Sequence, residues 1–598
     1  MTMTKLLIAN RGEIAIRIAR TASEMGITTV AVYSADDSKS LHVRATDEAV
    51  ELSGAGPAAY LDAAQIVAAA VDAGCDALHP GYGFLSENAD FAKRCDQAGI
   101  SFVGPAPEAL ELFGDKTAAR RFAASLGVDV IEGTDRSTTV GEARDFMASL
   151  GEGGAVMVKA IAGGGGRGMR PVDDIAELDS VFERCAAEAS AAFGNGELYV
   201  EQLFRHPRHI EIQVLGDGTG DVVHLWEREC SIQRERQKII EIAPAPRLSS
   251  KVRQRLLDAA TTLARESKYK GAGTFEFLVD ASVDNDDVAI AFIEANARLQ
   301  VEHTVTEELM NIDLVAAQLS IASGETLQTM ELRQSNLPEP QGMALQARIN
   351  LETMQSDGSV RPTGGTLTAY DPPSGPQVRV DGYGYAGYRT NPRFDSLLAK
   401  VIVRTRAGQF EQLAAKAARV LSEFRLAGVG SNIEFLQAIL RHDAFIEGRL
   451  NTHFVAEHID DLLSANVGPA KWFEATQVTT SARPGTTLDS RDPLAIVELG
   501  KSSVPGSEQS PAQEVHEREG MSTLRAPMQG TVVSITVEAG GIVRPGEELM
   551  VMEAMKMQHS VNAEVAGVVH KVTVVEGETV FEGAALALVE ERSDLGTA

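Results

Sequence analysis

Between Ile293 and Glu302 the chain alternates strictly. Glu294, Asn296, Arg298, Gln300 and Glu302 share one parity, and Ile293, Ala295, Ala297, Leu299 and Val301 the other. In an extended segment alternate side chains point to one face, so five polar groups line one side. A half-exposed strand with a solvated face would read the same way, yet acid, amide, base, amide, acid also suits a metal ion beside an anion. Glu276 stands between Phe275 and Phe277, so it points away from both if that segment is a strand. Glu276, Glu294 and Asn296 supply hard oxygen ligands of the kind Mg²⁺ takes, with nucleotide phosphates to complete the shell. Upstream, AVMVKAIAGGGGRGM (155–169) sets four glycines after a strand-like run containing Lys159. Backbone N–H groups of such a run can approach a polyphosphate closely, and the lysine adds positive charge. It is not a P-loop, and a flexible hairpin is the plainer alternative.

A second constellation lies near the C-terminus. GTVVSITVEAGGIVRPGEELMVME from Gly530 and GVVHKVTVVEGETVFEGAALALVE from Gly567 align without gaps, with identities such as Gly540/Gly577, Gly546/Gly583 and Leu549/Leu586. Short alternating strands and glycine turns predict a small all-β sandwich or flattened barrel, its halves related by a pseudo-twofold axis. AMKMQHSV, just after the first copy, is expected to form an exposed turn carrying Lys556. A lysine in a turn is ordinarily a solvated charge, but Met555 and Met557 are unusual flanks for one. An amine on a four-carbon stem suits amide attachment of a long swinging arm.

The elements that must position these groups follow from periodicity. KLLIA, IAIRIARTAS and TTVAVY read as strand, helix and strand, and the alternation recurs through DALHPGYG and SFVGP. This predicts a parallel α/β unit over 1–115. Further domains are expected over 116–330 and 331–465, then a linker over 466–522 rich in Pro, Gly and Ser, and a carrier domain over 523–592.

Composition narrows the function. The 55 basic and 84 acidic residues give a net charge of −29, which argues against a general nucleic-acid or anionic-membrane binder. The four cysteines (Cys75, Cys95, Cys185, Cys230) show no paired metal spacing, so a reducing cytoplasm is expected. Neither a secretory segment nor a membrane-spanning run is legible.

Residues 4 to about 465 resemble the biotin carboxylase family, which has an ATP-grasp fold. The matching segments run in order: IANRGEIAIRI (8–18), HPGYGFLSEN (79–88), FVGP (102–105), GDK (114–116), the glycine run, PRHIEIQV (207–214), CSIQR (230–234), QK (237–238), APAP (243–246), NARLQVEH (296–303) and RIN (348–350). EAMKM (553–557) resembles the biotin-acceptor motif. A lipoyl domain shares the sandwich and the lysine position but usually lacks a methionine on each side. In the family, ATP phosphorylates bicarbonate to carboxyphosphate, which breaks down to CO₂ and phosphate, and the carboxyl group passes to N1′ of biotin.

The resemblance implies a biotinyl-lysine at Lys556. It implies nucleotide binding at Lys116, Lys159, Gly164, Gly165, Gly166 and His209, with Gln233, Arg236 and Leu278 in the same set. Glu201, Gln202, Leu203 and Phe204 would face adenine. Glu276, Glu294 and Asn296 would hold one or two Mg²⁺ or Mn²⁺ ions. Lys238, Arg298, Gln300 and the backbone of Val301 would bind bicarbonate, the arginine fork matching two oxygens at once. Glu302 would be the general base, better suited if desolvation raises its pKa. Arg348 would stabilise the enolate-like oxygen of the biotin ureido group. Three residues depart from the family pattern: Arg236, Thr304 after the EH pair, and Ile242 before APAP.

The layout resembles the α subunits of actinobacterial acyl-CoA carboxylases. It implies a separate carboxyltransferase β subunit, a biotin protein ligase as modifying partner, an oligomeric complex, and acetyl-CoA or propionyl-CoA as final acceptor. The biotin carboxylase subunit of a split pyruvate carboxylase is the alternative. A non-catalytic biotin or lipoyl carrier on a degenerate ATP-grasp fold is a reading of a different class, opposed by the intact Lys238, Arg298 and Glu302.

Overall fold

The computed structural model describes residues 3–134, 136–151, 154–161, 168–193, 195–280, 286, 288–355, 358–406, 409–473, 521–554 and 557–592. The chain divides into two compact units, Met1–Ala470 and Lys471–Ala598. No helix among the described residues is long and apolar enough to cross a membrane.

The first unit opens with a parallel sheet of β1 (Lys5–Ile8), β2 (Thr28–Ser34), β3 (Glu48–Leu52), β4 (Ala77–His79) and β5 (Ser101–Phe102), ordered β3-β2-β1-β4-β5. The central β1 is apolar because both faces are covered: Leu6, Leu7 and Ile8 are all fully buried. Two helices follow, Pro107–Gly114 and Lys116–Ser125, broken at Asp115. The Asp115 carboxylate accepts from the backbone N–H groups of Thr117 and Ala118. That cap fixes Lys116 as the first residue of its helix.

A three-stranded antiparallel sheet comes next, with β6 (Val156–Ala160) between β7 (Met169–Val172) and β8 (Leu198–Gln202). The glycine-rich segment joining β6 to β7, including Gly164, Gly165 and Gly166, lies outside the described residues.

The largest sheet has eight antiparallel strands. Its order is β13 (Ile290–Asn296), β12 (Lys270–Asp280), β9 (Pro207–Asp217), β10 (Val222–Arg234), β11 (Gln237–Ala243), β14 (Met343–Asn350), then Leu397–Thr405 and Val378–Gly382. One sheet therefore continues across residue 330. Ile210, Ile212, Val214, Phe275 and Phe277 share a buried core with Leu256, Leu257 and Leu263 of the helix Ser250–Glu266. The opposite parity carries His209, Glu211, Gln213 and Glu276, so this sheet presents a polar, largely buried face.

Two expectations about the 293–302 segment need correction. The strand ends at Asn296, and residues 297–302 lead irregularly into the helix His303–Met310. Within β13 the register slips, Glu276 facing Glu294 and Phe277 facing Phe292. The slip makes Ile293 the extra residue of a β-bulge, which breaks strict alternation. Phe292, not Ile293, is the fully buried apolar side chain there.

The second unit holds two four-stranded sheets. Met521–Arg525, Ala585–Glu591, Gly567–Val572 and Ile542–Val543 form one, and Met557–Asn562, Glu548–Ala554, Gly530–Ile535 and Thr579–Val580 the other. Corresponding short strands of the two repeats exchange sheets: Ile542–Val543 pairs with Gly567–Val572, and Thr579–Val580 pairs with Gly530–Ile535. This is the pseudo-twofold all-β architecture expected of the repeat. The AMKMQHSV stretch is not one long turn, because Met557–Asn562 is a strand paired with Glu548–Ala554. Lys556 itself lies outside the described residues.

Candidate active site

Three glutamates stand in direct register across adjacent strands: Glu211 on β9, Glu276 on β12 and Glu294 on β13. Arg228 on β10 extends the row. Like charges directly opposite one another destabilise a sheet, so such a ladder requires cations. Two of its carboxylates are among the most buried in the chain, Glu211 at 0% and Glu276 at 3% exposure.

Lys238, near the start of β11, is the hub of the compensation. Its Nζ lies 2.6 Å from Glu211 Oε2, 3.1 Å from Glu276 Oε1 and 2.7 Å from Glu302 Oε1. Arg228, fully buried, pairs with Glu211 and donates to Gln213 and Thr306. At the far end Lys116 Nζ sits 2.7 Å from Glu294 Oε2. The Gln233 amide donates to His209 Nδ1 at 2.8 Å, leaving His209 Nε2 to donate to Glu276 Oε2 at 2.6 Å.

The irregular segment after β13 folds its polar residues back onto this row. Asn296 Nδ2 and Gln300 Nε2 both donate to Glu276 Oε1, at 2.7 and 3.0 Å. Arg298 donates to Asn296 Oδ1, Gln300 Oε1 and Glu87 Oε2. Arg348 on β14 donates to Glu241 and, at 3.0 Å, to Glu302 Oε2. Glu302 is thus gripped between Lys238 and Arg348, one cation on each carboxylate oxygen.

The electrostatics differ from the expected raised base. Burial alone would lift the Glu302 carboxyl, but Lys238, Arg348 and Arg228 outweigh both burial and the repulsion of Glu211, lowering it to about 2. Burial is likewise overcome at Glu276, where Lys238 and His209 hold the carboxyl well below the ordinary range. Glu241 is the contrast: burial pushes it up in spite of Arg348. Two carboxylates on one guanidinium are thereby driven apart, a pattern found where acid and base roles are separated.

A neighbouring group lies on the three-stranded sheet. Lys159 on β6 and Arg120 both pair with Glu201 on β8. Glu201 is therefore committed to two cations. The backbone N–H groups of Gln202 and Leu203 donate to Glu132 and Ala155, which ties down the segment leading to Phe204. Against a desolvation cost, Glu294 raises Lys116 above its ordinary value, with Glu276 and Glu201 adding to it. Leu278 is the cross-strand partner of His209. Arg236 sits at the tip of the β10–β11 turn with φ +67°, its guanidinium 3.6 Å from Met169 Sδ at the start of β7. The other two departures are accommodated. Thr304 donates to Gln346, and Ile242 lies in an apolar core with Leu345 while Glu241 faces Arg348.

Sequence reasoning missed Glu211, Arg228, Glu241, Glu87 and Arg120. Three carried usable signals. Glu211 lies in HIEIQV (209–214), which alternates polar and apolar just as 294–302 does. Glu241 lies within a β-rich run, and Arg120 follows Lys116 by one helical turn. Glu87 and Arg228 carried none.

For a divalent cation, Glu276, Glu294 and Asn296 offer two carboxylates and an amide oxygen from adjacent strands, a hard-oxygen set that fits Mg²⁺. His209, Glu211 and Glu276 form a further group with ligand atoms within 4.8 Å of one another.

The buried charged sheet face and the antiparallel β6–β7 pair agree with the ATP-grasp fold that the sequence resemblance implies. Comparison with known proteins narrows this. Family models match residues 2–110 as biotin carboxylase, N-terminal domain; 115–330 as carbamoyl-phosphate synthase L chain, ATP binding domain; 346–457 as biotin carboxylase C-terminal domain; and 522–589 as biotin-requiring enzyme. The biotin carboxylase domain of a single-chain bacterial carboxylase is 47% identical with a TM-score of 0.68, the match covering 77% of this chain and 98% of that one. A single-chain, multi-domain long-chain acyl-CoA carboxylase is 39% identical with a TM-score of 0.67, over 99% of this chain and 52% of that one. Pyruvate carboxylase 1 of Caenorhabditis elegans is 45% identical over 458 residues, 76% of this chain but 38% of that protein. The chain thus spans well under half the length of that curated relative. It belongs to the biotin carboxylase family, and it is a ligase that uses ATP and biotin.

Proposed function

We propose that this chain uses ATP to activate bicarbonate and carboxylates biotin carried on Lys556. The observation that carries the reading is Lys238 bridging Glu211, Glu276 and Glu302. The three carboxylates occupy all three Lys238 N–H donors, so a small anion binds by displacing one of them, with the guanidinium forks of Arg298 and Arg348 at hand for its oxygens. Mg²⁺ on Glu276, Glu294 and Asn296 would neutralise phosphate charge. Lys116, Lys159 and His209 hold the nucleotide, and Lys238, Arg298 and Gln300 orient bicarbonate. Glu302, ionised at neutral pH, accepts the bicarbonate proton. An anion arriving between Lys238 and Arg348 draws off part of the positive field on Glu302 and raises its basicity as it binds. Arg348 then steadies the charge that develops on the ureido oxygen. ATP hydrolysis measured in degassed buffer, with and without bicarbonate, tests this. A bicarbonate-dependent rate stimulated by free biotin is expected, and equal rates would overturn it.

For the final acceptor we rank pyruvate first, ahead of the short-chain acyl-CoA expected from the layout, because curated relatives are pyruvate carboxylases. An acyl-CoA remains the second reading, favoured by the match of a long-chain acyl-CoA carboxylase over 99% of this chain. A separate carboxyltransferase subunit would complete the reaction. Pull-down of the natural partner, followed by labelled bicarbonate with pyruvate and a series of acyl-CoAs, discriminates the two.

A further inference from the structure

Lys400 lies on the strand Leu397–Thr405, in register between Arg348 on one neighbouring strand and Asp381 on the other. Its side chain is fully buried. Nζ stands 3.0 Å from Glu13 Oε2 and donates to the Val301 carbonyl at 3.1 Å. Glu13, buried in the helix Gly12–Glu24, also accepts from the Tyr82 hydroxyl. Lys400 and Arg348 are directly opposed cations, and each has its own counterions: Glu241 and Glu302 for Arg348, Glu13 for Lys400.

The carbonyl that Lys400 holds belongs to the peptide plane joining Val301 to Glu302. That plane lies after β13 has ended and before the helix His303–Met310 begins, so no strand ladder fixes it. Burying an ion pair carries a desolvation cost for each ion, and apolar residues of similar size are often no less stable in its place. Stability therefore gives a weak reason for a lysine here.

We infer that Lys400 is a positioning residue for bicarbonate activation: paired with Glu13, it fixes the Val301–Glu302 peptide so that the Glu302 carboxylate meets Lys238 and Arg348 at once. The inference rests on the proposed function, in which Glu302 takes the proton. It also ties the N-terminal sheet unit, through Glu13 and Tyr82, to the geometry of the base.

Lys400→Met in the full chain leaves Glu13 buried without its cation, so the pair Lys400→Met with Glu13→Gln is measured beside it. Turnover is titrated separately in bicarbonate and in ATP, and folding is followed by a thermal melt. In the paired variant kcat/KM for bicarbonate should fall about ten- to hundredfold, the scale of a misplaced reacting group, while KM for ATP stays within about twofold of wild type. Unchanged bicarbonate constants, a parallel loss in both substrates, or failure of both variants to fold would each overturn the inference. Wild type without bicarbonate-dependent turnover would instead overturn the activity itself, which keeps the two failures apart.

Discussion

Glu302 and Glu294 are both carboxylates of the same polar segment, yet they are asked to do different work, and their amide variants should fail differently. Glu302→Gln keeps size and hydrogen bonding but cannot take a proton. It should lower kcat by about 10²–10⁴-fold with little change in KM for ATP. Glu294→Gln removes a charged ligand beside Lys116. It should raise the Mg²⁺ needed for half-maximal rate at least about tenfold, with partial rescue by Mn²⁺. Steady-state kinetics across a metal titration separates the two, and near-normal turnover of Glu302→Gln would return this segment to a structural role. The lowered carboxyl of Glu302 has a further consequence in stability. Its contribution is present in full above the ordinary carboxylate value of 4.5 and is lost as pH falls through the folded value of about 2. Wild type should therefore lose stability relative to Glu302→Gln as the pH is taken from about 5 to about 3, read as converging urea midpoints. At this scale the sequence was legible where chemistry repeats locally. Glu276 and Glu294 followed from parity, whereas the Lys238 hub and the direction of the Glu302 shift depend on Glu211, Arg228 and Arg348, which come from three other strands.

Strand β13 shows what parity can and cannot see. The alternation of 293–302 continues past Asn296, so nothing local signals the end of the strand. Arg298 reaching Glu87, 211 positions away, and Lys400 holding Val301 are tertiary contacts. The bulge at Ile293 is equally hidden, because it is set by Phe292 packing against Phe275 and Phe277. Core substitutions check this directly. Phe292→Ala should destabilise by about 3–5 kcal/mol, since it empties a buried aromatic site. Ile293→Ala, at the partly exposed bulge residue, should cost only about 1 kcal/mol. Denaturant melts of the two variants measure the difference, and equal losses would remove the bulge assignment. The carrier repeat shows the same division. Its two sheets follow from the paired glycines and alternating strands, while the return to strand at Met557 has no local signal, because methionines beside a lysine suit a turn as readily as a strand.

The molecule as a whole joins a 470-residue unit bearing the charged sheet to a unit bearing the EAMKM motif in one chain. Their sequence order was legible because each unit has its own periodicity and its own motifs. The acceptor was not, because the residues that would meet it are not among those that activate bicarbonate. What the covalent connection does can be tested without any assumption about how the units are arranged. A carrier attached to its enzyme sees a fixed effective concentration, about millimolar for a short flexible tether, whatever the protein concentration. In the intact chain, labelled bicarbonate should enter the protein at a rate per chain that does not change on dilution, and Lys556→Arg should abolish it. With residues 1–470 and 521–598 supplied as separate chains, the rate should become proportional to carrier concentration until the site saturates. Rapid-quench incorporation over a hundredfold dilution series distinguishes the two regimes. If incorporation in the intact chain fell in proportion to protein concentration, carboxylation would be passing between independently diffusing molecules, and the single-chain arrangement would have no kinetic role.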